Sequence, residues 1–79
     1  MNILPKPMVA LISEVAFGDG VLQVFITDGR EIKVPLEYFP RLRDASPEQR
    51  QNWRFIGKGV GIHWPDLDED ISLEGLLIS

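Results

Sequence analysis

The chain has 79 residues, 44% hydrophobic and 25% charged, with a net charge of −4, one histidine and no cysteine. That is a single globular domain over residues 1–79 with a small core. It excludes a disulfide scaffold, thiolate chemistry and intrinsic disorder.

The apolar run Met8 to Ile12 follows Pro5 and Pro7. It is too short for a signal-peptide core or a membrane span, so a cytoplasmic chain with no membrane partner is expected. Glu37 to Lys58 carries five basic residues against three acidic ones, whereas Asp66 to Glu74 carries five acidic residues and no basic one. Phosphate binding needs clustered Lys and Arg, so direct nucleic-acid binding is not expected of this acidic chain.

Met8 to Ala16 reads as a first strand, and Gly18-Asp19-Gly20 as a turn. Val21 to Thr27 is the most strand-like stretch, rich in β-branched and aromatic residues. Asp28-Gly29 is the pair favoured in a two-residue hairpin turn. Arg30 to Val34 returns as a third strand, which Pro35 closes. A two-residue turn sets Phe25 opposite Ile32 and Gln23 opposite Val34. Phe25, Ile32 and Val34 then share one face, and Leu22, Val24 and Ile26 the other, so the hairpin is expected to be apolar on both faces.

In Leu36 to Arg43, interrupted by Pro40, residues Leu36, Phe39 and Leu42 recur at threefold spacing and face the core. Ser46-Pro47-Glu48-Gln49 predicts a helix start with a reciprocal cap. Trp53 to Ile56 reads as a strand, Gly57 to Gly61 as a turn, and Ile62 to Trp64 as a last strand ended by Pro65. The glycines fit neither the Walker nor the G-x-G-x-x-G spacing. Leu73, Leu76 and Leu77 behind Asp70 or Ser72 predict a terminal helical turn or two.

His63-Trp64-Pro65, then Asp68, Asp70, Ile71, Ser72 and Leu76-Leu77, together with Ala45 to Trp53 and the Asp28-Gly29 turn, resemble the small bacterial family of domain of unknown function 2442. The resemblance spans nearly the whole chain. It implies an α+β fold, with a small antiparallel sheet (an N-terminal three-stranded meander plus a C-terminal hairpin) packed with short helices. It also implies a component of a two-gene operon of the toxin–antitoxin kind. Some members add a helix-turn-helix, which residues 1–79 do not show, so DNA binding by that route is not expected.

His63 is the single histidine, a residue type suited to proton transfer, but no nucleophile or second histidine accompanies it, and it reads as structural. Asp66, Asp68 and Asp70 repeat like the start of a calcium loop, yet the sixth and twelfth positions are Ile71 and Leu77 rather than Gly and Glu. They read as turn and helix-capping residues. Trp53 and Trp64 read as core. No catalytic constellation, cofactor or metal site is expected.

The leading expectation is a non-catalytic protein–protein interaction module, antitoxin-like, with a protein partner or a homodimer. Its candidate surface is Leu22, Val24, Ile26, His63, Trp64, Asp66, Asp68 and Asp70. The alternatives are a small-ligand or metal-binding domain using His63, Asp66 and Asp68, and a weak nucleic-acid binder using Arg41, Arg43, Arg50 and Arg54.

Overall fold

Val21–Ile26 forms β2, the central strand of an antiparallel sheet with β1 (Ile12–Gly18) and β3 (Glu31–Pro35). The structure is a computed structural model that describes residues 10–78, so the Met8 and Val9 end of the expected first strand lies outside the described residues. β1 and β2 are joined by Asp19 and Gly20, whose positive φ of 50° and 75° is what a two-residue primed turn requires.

The second hairpin departs from expectation. Its loop is Thr27 to Gly29, one residue longer than the Asp-Gly pair implied. Gly29 N–H donates to Ile26 O (3.0 Å), Ile26 N–H donates to Arg30 O (2.9 Å), and Gly29 takes φ +96°. The Asp28 carboxylate accepts from Arg30 N–H at 3.1 Å, a bond that also holds its carboxyl below the ordinary aspartate range.

One extra loop residue moves every partner by one. Phe25 pairs with Glu31, Val24 with Ile32 and Leu22 with Val34. A one-residue slip swaps the faces of one strand relative to the other. Leu22, Val24 and Ile26 therefore share their face with Ile32 and Val34, and Gln23, Glu31 and Lys33 lie on the other with Phe25. The sheet has one apolar face, not two. Leu22, Val24 and Ile26, expected on an exposed surface, are 0%, 1% and 4% exposed and belong to the core.

On β1, a bulge at Ser13 adjusts the pattern. Ile12 pairs with Ile26 but Glu14 with Phe25, so Ile12 and Val15 both turn inward. After β3 the chain passes through a 3-10 turn, Leu36–Tyr38, into α1 (Pro40–Arg43) and α2 (Pro47–Gln51). Leu36 and Leu42 are buried and Phe39 packs on the core, as their spacing predicts.

Ser46 caps α2 as expected. Its hydroxyl accepts from Gln49 N–H (3.1 Å) while Gln49 Oε1 accepts from Ser46 N–H (3.0 Å). Ser46→Ala is expected to cost ~1 kcal/mol in chemical denaturation. An unchanged midpoint would show that the cap is idle in solution.

The C-terminal half forms a second antiparallel sheet of β4 (Arg54–Ile56), β5 (Gly61–Trp64) and β6 (Glu69–Ser72), followed by α3 (Leu73–Ile78). Ile62, Trp64 and Ile71 turn into the same core as the first sheet's apolar face. Trp64 is fully buried, meets Phe17 edge-on at 6.3 Å, and donates Nε1–H to Arg50 O at 3.0 Å. It is a core residue rather than a surface one.

Gly59 joins the two sheets. Its carbonyl accepts from Ile12 N–H at 2.7 Å, its φ is +118°, and an added Cβ would lie 2.6 Å from Ile12 O. Gly59→Ala is expected to cost about 1–3 kcal/mol from backbone strain alone, with the clash added. Thermal melting tests this, and a near-native melt would place Gly59 away from β1.

Candidate functional site

The acidic stretch is built differently from its sequence reading. Pro65 to Asp68 form the turn between β5 and β6, with Asp68 at φ +50°. Arg41 Nη1 donates to Asp68 O at 2.7 Å and Asn52 Nδ2 to Asp66 Oδ2 at 2.9 Å, so two separate elements pin the turn. Asp70 lies within β6 rather than at a helix start. The helix-start role belongs to Ser72, whose Oγ accepts from Gly75 N–H at 2.9 Å.

His63 and Asp70 are cross-strand partners, and the His63 Nδ1 atom meets the Asp70 carboxylate on the outer face of the sheet. This contact orients the ring and anchors β6 to β5. Among the described residues, no three His, Asp or Glu side chains converge in a way that would hold a metal ion.

Of the four arginines considered for nucleic-acid binding, Arg41, Arg43 and Arg50 are engaged within the chain. Arg41 holds the acidic turn, and Arg43 pairs with Asp44 (2.9 Å) and Glu37 (3.4 Å). Arg50 donates to the carbonyls of Leu42 (2.9 Å) and Arg43 (2.7 Å) at the end of α1. The Arg43 guanidinium also holds the Asp44 carboxyl below the ordinary range.

The two sheets leave one prominent recess, of about 770 Å³, between β3 on one side and β6 with α3 on the other. Ile32, Val34, Phe39, Ile71 and Leu76 supply its apolar lining, and Lys33 and Asp70 supply opposite charges. Tyr38 stands at its rim, 72% exposed. Ile32 and Val34 are only half-buried, because among the described residues β3 ends its sheet and no further strand covers them.

Both walls are strand edges. Leu73 N–H donates to Val60 O (2.9 Å), so residues 73, 71 and 69 direct their backbone groups to β5. By the alternation of an antiparallel ladder, Asp70 directs its N–H and C=O outward. The same count, from the Ile26–Arg30 and Leu36–Gly20 bonds, turns Glu31 and Lys33 outward from β3. A second, smaller recess lies at Ala10, Val60, Leu73, Leu77 and Ile78.

Of the expected surface, His63 and Asp70 come together and Asp70 lines the recess. Asp66 and Asp68 lie in the adjoining turn, while Leu22, Val24, Ile26 and Trp64 are core. Sequence reasoning missed the β3 wall and Tyr38 as part of one feature, since edge position is set by topology rather than by any local pattern.

The family model described as protein of unknown function (DUF2442) matches residues 12–78, nearly all of the chain. The chain belongs to the DUF2442 family. Two solved structures share this DUF2442 architecture. One is a crystal structure of a protein of unknown function from Rhodospirillum rubrum ATCC 11170, with TM-score 0.73 and 26% identity, covering 90% of this chain and 88% of that one. The other is a solution structure of the uncharacterized protein CV0863 from Chromobacterium violaceum, with TM-score 0.72 and 28% identity, covering 86% of this chain and 64% of that one. No curated protein matches this DUF2442 chain at a significant level.

Proposed function

We propose that this DUF2442 chain is a non-catalytic protein–protein interaction module that docks its partner in the recess between β3 and β6. The observation that carries this reading is the half-buried apolar wall of Ile32, Val34 and Phe39 with Tyr38 at its rim, because a partly open apolar surface beside a large aromatic is the usual form of a docking site. An antitoxin-like member of a two-gene pair, as the resemblance implies, is one form such a module takes. The product of an adjacent gene is then the first partner to test. The other two readings draw less support, since His63 and Asp70 engage each other and three of the four arginines are occupied within the chain.

The test is co-purification with that adjacent gene product, comparing wild type with Tyr38→Glu and Val60→Glu. Both positions are exposed, so both variants should fold with little change in stability. The partner should stay with wild type and Val60→Glu and be lost with Tyr38→Glu. Retention by Tyr38→Glu, or loss with Val60→Glu alone, would move the docking surface elsewhere.

A further inference from the structure

We infer that the recess takes its partner as a β-strand: an extended, basic segment of another protein that pairs with the open edge of β6 and lays alternate apolar side chains against the half-buried Ile32 and Val34. This rests on the interaction reading above and adds the conformation and charge of what binds.

The edge argument comes first. Among the described residues β6 ends its sheet, and Asp70 offers both a donor and an acceptor to the recess. Strand addition satisfies such groups and takes its specificity from pockets for every second side chain. The turn before β6 is already pinned by Arg41 and Asn52, so the edge is preformed and little ordering opposes binding. The opposite wall is less receptive. β3 carries Lys33 at its outward position and closes with Pro35, which has no N–H, and both features discourage pairing. β3 therefore serves as an apolar wall and β6 as the template.

Charge selects the occupant. Asp66 and Asp68 in the turn, Glu69 and Asp70 in β6 and Glu74 in α3 make a stretch with no basic residue, and the cations beside it are Lys33 on the facing wall and Arg41 at the turn. A strand bearing Lys or Arg on its solvent side meets that run favourably. A second copy of this chain does not, because antiparallel β6 against β6 sets the run against itself, and like charges directly opposite are destabilising. A helical segment would fill the recess but leave the Asp70 edge groups unmatched.

The probe is a random peptide library of about seven residues, long enough at ~3.4 Å per residue to span β6 and its turn, selected against the full chain. Enriched peptides should alternate apolar residues with Lys or Arg. In the complex the Asp70 amide should exchange with solvent markedly more slowly than in the free protein. Replacing the peptide's basic residues by Glu should weaken binding roughly tenfold or more.

Acidic sequences, no enrichment, or amide changes confined to Ala10, Val60 and Leu77 would overturn the inference. So would a homodimer in light scattering that protects the Asp70 amide. Helix-patterned peptides seated in the recess would sink strand addition while leaving the interaction module standing. No enrichment together with a partner retained by Tyr38→Glu would remove both.

Discussion

Trp64→Ala is expected to lower stability by ~3–5 kcal/mol. Trp64 is fully buried at the junction of the two sheets, so its removal leaves a cavity that β1, β2 and α2 would have to collapse into. It also removes the Nε1–H donor and leaves the Arg50 carbonyl without it. That carbonyl lies in α2, so the loss reaches the segment whose Arg50 side chain closes the end of α1. A domain of this size has of order 4–12 kcal/mol in total, so the variant should sit near or past its unfolding midpoint at 37 °C. Urea denaturation reads this directly. A midpoint within error of wild type would place the indole outside the core.

Val24→Lys should unfold the protein outright. Val24 is 1% exposed and faces Ile32 on the closed side of the first sheet. A lysine there must bury its ammonium or expel it by breaking the sheet, and either costs several kcal/mol. Had Val24 lain on an open second face, the same substitution would have given a folded, more soluble protein. Circular dichroism and amide dispersion distinguish the two results. Val24→Ala, a milder truncation, should remain folded but less stable, which separates a packing loss from a failure to express.

The parts that were legible in the sequence are those whose cause is local. The Ser46–Gln49 cap is a four-residue signal with its own hydrogen bonds, and it stands as read. The Leu36, Phe39 and Leu42 spacing survived Pro40, because the chain simply restarts its turn there. The hairpin register failed on loop length. Asp-Gly suits a two-residue turn, but it also suits the last two positions of a three-residue loop with a left-handed glycine. Asp28 and Gly29 take those positions, and nothing in the flanking residues distinguishes the two cases. Thr27 belongs to the loop rather than to the strand, and that single assignment reverses the faces of the sheet.

β6 was missed for a different reason. Three of its four residues, Glu69, Asp70 and Ser72, are polar, and its pairing depends on β5 and the pinned turn rather than on strand propensity. Read locally, the acidic residues look like a helix N-terminus. The Ser72 cap was found, but the aspartates ahead of it are turn and strand residues. With β6 hidden, the recess between β3 and β6 was hidden too. Only Asp70, among its lining, stood in the expected surface.

Both the one-faced sheet and the recess depend on the β2–β3 register, and proton contacts across that pair test it most directly. In the observed register Gln23 faces Lys33 and Phe25 faces Glu31 as the non-hydrogen-bonded pairs, whose Cα atoms approach to about 4.5 Å. The account predicts strong Hα–Hα nuclear Overhauser effects for Gln23–Lys33 and Phe25–Glu31. Strong effects for Val24–Lys33 and Ile26–Glu31 instead, the non-hydrogen-bonded pairs of a two-residue turn, would put apolar residues on both faces and remove the β3 wall of the docking groove.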